Sequence, residues 1–154
     1  MCKSCWAIVV ILLLLIGGGV YKFMFQGAVE QSSDGRTAIL LDEGERALVL
    51  SEMRAFLATA QQITAAITND DLETVATSAR AVGHAAQQAV PGTLMGKLPM
   101  PFKRMGMDTH TKFDELAADA EQLGDGNHAL GQLSTLMQNC VACHAAYRIE
   151  LVPK

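Results

Sequence analysis

The C-terminal segment, residues 127–151, has the sequence NHALGQLSTLMQNCVACHAAYRIEL. Side chains suited to a buried face recur in it at steps of three and four, at Leu130, Leu133, Met137, Cys140, His144, Tyr147 and Leu151. That spacing is typical of a helix with one buried face. The sequence therefore predicts a helix over residues 127–151 that carries Cys140 and His144 on its buried face.

Three earlier segments have the same periodicity, at residues 42–68, 71–89 and 102–123. Short turns at residues 69–70 and 124–126 separate neighbouring segments, and Pro91 with Gly92 ends the second one. Short turns make successive helices antiparallel. Since strand signals are nearly absent, we expect an all-α protein, an antiparallel four-helix bundle over residues 42–154 preceded by one N-terminal transmembrane helix.

Length and composition limit the function classes. The chain has 154 residues, half of them apolar, which fits one compact domain. Its net charge of −4 argues against a nucleic-acid partner, which would require a basic surface. No constellation of residues suited to acid or base chemistry is apparent, so we expect a protein that is not an enzyme.

The N-terminal residues predict a membrane segment. Residues 4–21 contain no charged side chain, and nine of residues 6–16 are Ile, Leu or Val. Together these nine contribute about −3 to −5 kcal/mol towards membrane insertion. Trp6 and Tyr21 flank the run as interfacial aromatics, so we expect residues 1–29 to be an anchor that contacts the membrane through residues 4–25. The alternative is a cleaved signal peptide, because the apolar core is short and small residues follow it.

The segment between the anchor and the first bundle helix is polar at its start. Residues 30–37 include Gln31, Ser32, Ser33, Asp34 and Gly35. Such a composition is typical of a flexible linker. We therefore expect residues 30–41 to be a tether between the anchor and the helical domain.

Four cysteines form two C-x-x-C pairs, Cys2 with Cys5 and Cys140 with Cys143. Only the second pair is followed by histidine, His144, which completes the attachment signature of c-type haem. On a helix these three positions share one face, so both sulfurs and the imidazole would point the same way. A redox dithiol or half of a zinc site are the alternatives. The first pair is left as free thiols, a lipidation site or cysteines without a function.

Residues 140–148, CVACHAAYR, match the C-x-x-C-H-x-x-Y-R ending of the class II c-type cytochromes. The chain from about Asp42 onward resembles the cytochrome c′ and cytochrome c556 family. The resemblance implies one covalent haem c, with His144 as an iron ligand, in an electron-transfer protein. It also implies a haem domain in the periplasm, held by a single pass in the inner (cytoplasmic) membrane. Redox proteins, a larger membrane complex and a second copy in a homodimer are the implied partners.

The resemblance implies that the function depends on whether a side chain binds the iron as its sixth ligand. Met53 on the first bundle helix is the candidate, with ordinary core packing as the alternative. Phe56 is expected to line the haem pocket, and Arg148 to lie near the haem. With Met53 bound, the protein would be a six-coordinate electron carrier. Without it, the alternatives are a five-coordinate protein that binds nitric oxide or carbon monoxide, or a haem-bearing subunit of a respiratory complex.

Overall fold

The computed structural model describes the backbone of residues 3–153 and the side chains of residues 6–88 and 90–153. This part of the chain is mostly helical, as expected, but it also contains a three-stranded sheet. A wider π-helical segment, Tyr21–Gln26, continues the first helix, and a 3₁₀ helix, His84–Ala89, follows the third. The other elements are α1 (Lys3–Val20), β1 (Val29–Gln31), β2 (Thr37–Leu41), α2 (Glu43–Thr68), α3 (Leu72–Ala81), α4 (Gly92–Lys97), α5 (Met100–Leu123), α6 (Gly126–Ala146) and β3 (Tyr147–Leu151).

Aspartate side chains start three of the helices. Asp42 caps α2 in a reciprocal capping box with Glu45, Asp71 caps α3, and Asp125 accepts from two backbone N–H groups at the start of α6. Each carboxylate accepts hydrogen bonds from backbone N–H groups that have no partner within the first helical turn. Its negative charge also interacts favourably with the positive end of the helix dipole. The starts of these helices are therefore fixed locally, close to where the sequence predicts them.

Apolar side chains form two clusters. The first is enclosed by α2, α3, α5 and α6 and is centred on Ile63, Val75, Phe113, Leu116 and Leu133. The second cluster lies at the end of these helices nearer the sheet. It joins the sheet and α4 to the start of α2 through Ile39, Leu41, Val49, Leu94 and Leu98. α3 packs on α5, α5 on α6 and α2 on α3, whereas α2 and α6 contact each other more sparingly.

The directions of α2 and α6 are opposite. A side-chain carbon built on Gly126, at the start of α6, would lie 3.5 Å from the Ile67 side chain, at the end of α2. At the other end, the start of α2 and the end of α6 both adjoin the sheet. The start of each helix therefore lies beside the end of the other.

The sheet corrects two sequence-based expectations. Residues 29–31 and 37–41 form an antiparallel hairpin that takes up most of residues 30–41, the expected tether, and begins one residue before it; β2 also pairs in parallel with β3. The last helix ends at Ala146 rather than Leu151. Tyr147 and Leu151 fit a helical period, but with Ile149 they also fit the alternation of a strand. Pairing with β2 over five residues selects the strand.

α3 is shorter than the helix expected over residues 71–89. It ends at Ala81 instead of Ala89, and residues 84–89 form the tighter 3₁₀ helix. The carboxylate of Asp114, on α5, accepts a hydrogen bond from the backbone N–H of His84 at 2.9 Å and occupies the space beside Gly83. Asp114 therefore holds the chain at Gly83 and His84, directly after the end of α3.

Residues Trp6–Gln26 form a helix that is long and apolar enough to cross a membrane, with a mean hydropathy of 2.4. Its end is docked on the helical domain. Phe23 packs against Gly96, and the backbone N–H of Ala28 donates to the carbonyl of Lys97 at 2.7 Å. The Nζ of Lys103 donates to the carbonyl of Met24. The apolar helix is thus joined to the domain by direct contacts, and the expected flexible connection is absent from the described residues.

Replacing Gly27, which lies at this junction, is expected to destabilise the folded protein. Its φ of +71° suits glycine, and an added side-chain carbon would lie within 3 Å of backbone atoms of Lys97, Leu98 and Pro99. We expect Gly27→Ala to lower the free energy of unfolding by about 1–3 kcal/mol. Gly35→Ala is the matched control, since Gly35 also has positive φ but open space around it. Chemical unfolding in detergent measures both; an equal loss in the two variants would contradict the docked junction.

Candidate cofactor-attachment site

Cys140, Cys143 and His144 lie in the last two turns of α6. Both cysteines are free thiols and half-buried, and His144 is exposed. Because positions i, i+3 and i+4 share a helical face, the two sulfurs and the imidazole project from one side of α6. The buried face of α6 is formed by Ala129, Leu133 and Leu136. The expectation that His144, Leu130 and Met137 lie on the buried face is wrong, since all three are exposed.

The backbone around His144 is held by the hairpin. The guanidinium of Arg36 donates from Nη1 to the carbonyl oxygens of His144, at 3.3 Å, and Tyr147, at 3.4 Å. Arg36 is itself paired with Asp34 at 2.6 Å, and its hydrogen bonds hold the pKa of that carboxyl well below the usual range. A cation at a helix C-terminus donates hydrogen bonds to carbonyl oxygens that have no partner in the helix, and it interacts favourably with the negative end of the helix dipole. The hairpin therefore fixes the end of α6 at the turn that carries the histidine.

The two thiols are poor acids. Burial, with a smaller contribution from the nearby Cys140, raises the pKa of Cys143 to about 11. Burial also raises the pKa of Cys140. A redox-active dithiol usually has a thiol pKa below that of free cysteine. The surroundings of Cys140 and Cys143 therefore favour neutral thiols and do not fit the redox-dithiol alternative.

Alkylation of the haem-free protein tests this environment. At pH 8 we expect Cys143 to react with iodoacetamide about 100-fold more slowly than an unperturbed cysteine, since only the thiolate reacts and its pKa lies two units higher. The rate should rise about tenfold per pH unit until the pH nears the raised pKa. The urea-unfolded chain is the control and should react at the ordinary rate. A rate that levels off near pH 9 in the folded protein would contradict the burial of the thiol.

Met53 lies at the same height along the helices as Cys140. Counting 14 residues back from Ile67 along α2 gives Met53, and 14 residues forward from Gly126 along α6 gives Cys140, about 21 Å in both cases. His144 is one turn nearer the sheet. Side chains lean towards the start of their own helix, so Met53 leans towards the sheet and His144 away from it. These opposite inclinations bring the two side chains towards a common height.

Exposed apolar side chains occur near this height on both α2 and α6. Leu57, one turn beyond Met53, is 73% exposed, while Val141 and Met137 on α6 are 71% and 45% exposed. By the same count from Ile67 and Gly126, Leu57 is level with residue 136. We call Leu57, Met137 and Val141 the exposed apolar face. Apolar surface concentrated beside ligand-type side chains marks a surface that another group can cover.

Met53 is half-buried at the edge of the second apolar cluster, which also includes Tyr147 and Ile149. This placement fits the packing alternative as well as the ligand alternative, because a thioether can do both. The described residues contain no group of three or more His, Cys, Asp and Glu side chains arranged to hold a metal ion.

Phe56 and Arg148 have partners elsewhere. Phe56, expected to line the haem pocket, stacks on Phe113 at 5.5 Å between ring centroids and meets His110 edge-on at 5.0 Å. Arg148, expected near the haem, forms ion pairs with Asp34 at 3.2 Å and Glu150 at 2.9 Å. Arg148 thus contributes with Arg36 to tying the hairpin to the end of α6. The thiols of Cys2 and Cys5 lie outside the described residues.

One polar site was missed at the sequence level. His110 is 2% exposed, its Nδ1 donates to the carbonyl of Val82 at 2.7 Å, and its Nε2 lies 3.3 Å from Glu52. Burial lowers the pKa of His110, but these acceptors on both nitrogens outweigh it, so the pKa lies above the ordinary value. The partners belong to α2 and the end of α3, and their pairing depends on tertiary structure that a single sequence does not reveal.

Comparisons with protein-family models, curated proteins and solved structures find no match to this chain.

Proposed function

We propose that this protein is a membrane-anchored monohaem c-type cytochrome that transfers electrons and is not an enzyme. The observation that carries the proposal is the C-x-x-C-H motif of Cys140, Cys143 and His144, with two half-buried thiols and an exposed imidazole on one face of α6. The exposed apolar face beside the motif provides a surface that the flat ring of a haem would cover. Two thiols, a neighbouring imidazole and apolar surroundings are the groups that c-type haem requires.

Each side chain has a separate part in this proposal. Cys140 and Cys143 would each add their S–H across one vinyl group, the sulfur and the proton going to adjacent carbons, and His144 would bind the iron. Met53, on α2, would supply a second ligand to the iron. When bound, the haem would supply one-electron exchange between ferric and ferrous iron.

The surrounding helices fit the same proposal. We propose that α2, α3, α5 and α6 act as the antiparallel four-helix bundle that carries the haem. α2 and α6, which carry Met53 and Cys140, contact each other more sparingly than the other neighbouring helices of this group do. Arg36, by fixing the carbonyls of His144 and Tyr147, would hold the iron ligand in place during oxidation and reduction.

Location and partners follow from the motif and the apolar helix. Haem is attached to c-type cytochromes outside the cytoplasm in the family that the chain resembles, so we place residues 42–154 in the periplasm and α1 in the inner membrane. Redox partner proteins would approach the exposed side of His144, within a larger membrane complex or as free carriers.

An absorption spectrum of the exported, full-length protein tests the function. A low-spin ferric spectrum with a far-red band from Met-to-iron charge transfer, together with a ferrous spectrum unchanged by carbon monoxide, is the result expected of an electron carrier. A high-spin spectrum that changes with carbon monoxide would replace this function with gas binding. Size analysis after detergent extraction then separates a lone chain from a subunit of a larger assembly.

A further inference from the structure

A cavity of about 290 Å³ lies beside α2, and Met53 is not among the residues that line it. Its walls come from α2, α4, α5 and the 3₁₀ helix, and they are mainly apolar, including Val49, Phe56, Leu94, Leu98 and Phe102. The volume is just below the range of about 300–1,000 Å³ that is usual for small-molecule sites. We call it the His110 cavity, and its size suits a molecule with a single substituted ring.

Few polar side chains line the His110 cavity, and two of them form one pair. His110 faces Glu52 at 3.3 Å, and both residues line the cavity. The Oε1 of Glu52 faces His110, and 36% of the Glu52 side chain is exposed. A carboxylate that keeps an open oxygen at an apolar site is an acceptor for a hydroxyl group of a ligand.

The cavity also adjoins the point where the chain leaves the apolar helix. α4 supplies Leu94 and Met95 to the cavity, and its Gly96 and Lys97 contact Phe23 and Ala28. Lys103, another lining residue, bonds to the carbonyl of Met24. A single short helix thus separates the cavity from the segment at the expected membrane surface. A ligand that dissolves in the bilayer would reach the cavity along this route.

We propose that the His110 cavity binds a single-ring hydroquinone from the membrane, with one hydroxyl donating to Glu52 and the ring against Phe56 and Leu94. The apolar walls can pack against the ring, and the Glu52 carboxylate can accept a hydrogen bond from the hydroxyl. The neighbouring juxtamembrane segment brings the cavity close to ligands dissolved in the bilayer. The choice of a hydroquinone rests on the proposed function, because this class also donates electrons. Met53 does not line the cavity, but Val49 and Phe56, one turn before and one turn after it on α2, do.

Calorimetry on the full-length protein in detergent, without oxygen, tests the site with tetramethylhydroquinone as the probe. We expect saturable binding to one site per chain. The dimethyl ether of the same molecule keeps the ring but loses both donors, so it should bind at least tenfold more weakly. Equal binding of the two molecules, or no saturable binding, would overturn the proposal.

Two variant pairs locate the site. Ala55 is exposed and lines the cavity, whereas Ala58 is exposed on α2 outside it. Ala55→Leu should weaken binding at least tenfold and Ala58→Leu should not. Likewise Glu52→Gln should weaken binding and Glu43→Gln, on the exposed start of α2, should not. Binding that is unaffected by Ala55→Leu would contradict the site. Because heat is measured, this result is independent of whether haem is attached.

Discussion

Replacing Cys140 and Cys143 together by alanine is expected to abolish covalent haem attachment. Each thioether in the proposed site needs one of these sulfurs, and the described chain offers no other C-x-x-C-H motif. Both side chains are half-buried rather than central to a core cluster, so the fold should persist with a loss of stability of about 1 kcal/mol. Haem staining after denaturing electrophoresis measures the effect, which should be a complete loss of signal.

The first cysteine pair provides the matched control for this experiment. Cys2→Ala with Cys5→Ala has the same number and kind of substitutions and leaves the C-x-x-C-H motif intact. This variant should stain as strongly as the unmodified protein. Haem that survives denaturation in the Cys140→Ala, Cys143→Ala variant would show that the attachment lies elsewhere in the chain.

Replacing Met53 by leucine should change the iron from six-coordinate to five-coordinate. Leucine has nearly the same volume as methionine, so it keeps the packing against the second cluster but removes the sulfur. The ferric spectrum should shift from low spin to high spin, the far-red Met-to-iron band should disappear, and carbon monoxide should bind to the ferrous form. The stability should change by less than about 1.5 kcal/mol.

Met95→Leu is the control for the ligand assignment. Met95, on α4, is also half-buried at the second cluster, but unlike Met53 it lines the His110 cavity. Its replacement should leave the spectrum unchanged. If Met53→Leu also leaves the spectrum unchanged, then Met53 is a packing residue and the iron has a different sixth ligand or none.

The helices were predictable because their signals are local and repeated. Asp42, Asp71 and Asp125 mark helix starts, and the three-and-four spacing continues over several turns of α2 and α5. The strands were missed because each is short and two of their residues, Tyr147 and Leu151, satisfy the helical period as well. What selects the strand is pairing with β2, more than a hundred residues away, which no local pattern contains.

Some features of the candidate site were likewise predictable from local sequence, and others were not. Cys140, Cys143 and His144 are adjacent in sequence, so their shared face follows from helix geometry alone. The height of Met53 could be estimated because alternating helix directions in a four-helix bundle make the first and last helices antiparallel. The contacts of Phe56, Arg148 and His110 could not be predicted, since each depends on the rotation of one helix relative to another or on the hairpin.

The most direct test of the account is the mass and visible spectrum of the full-length protein, exported in cells that attach c-type haem. The account predicts an intact mass that exceeds the polypeptide mass by one haem and a strong Soret band that remains after denaturation and acid extraction. A polypeptide of unmodified mass with no Soret absorbance would contradict it.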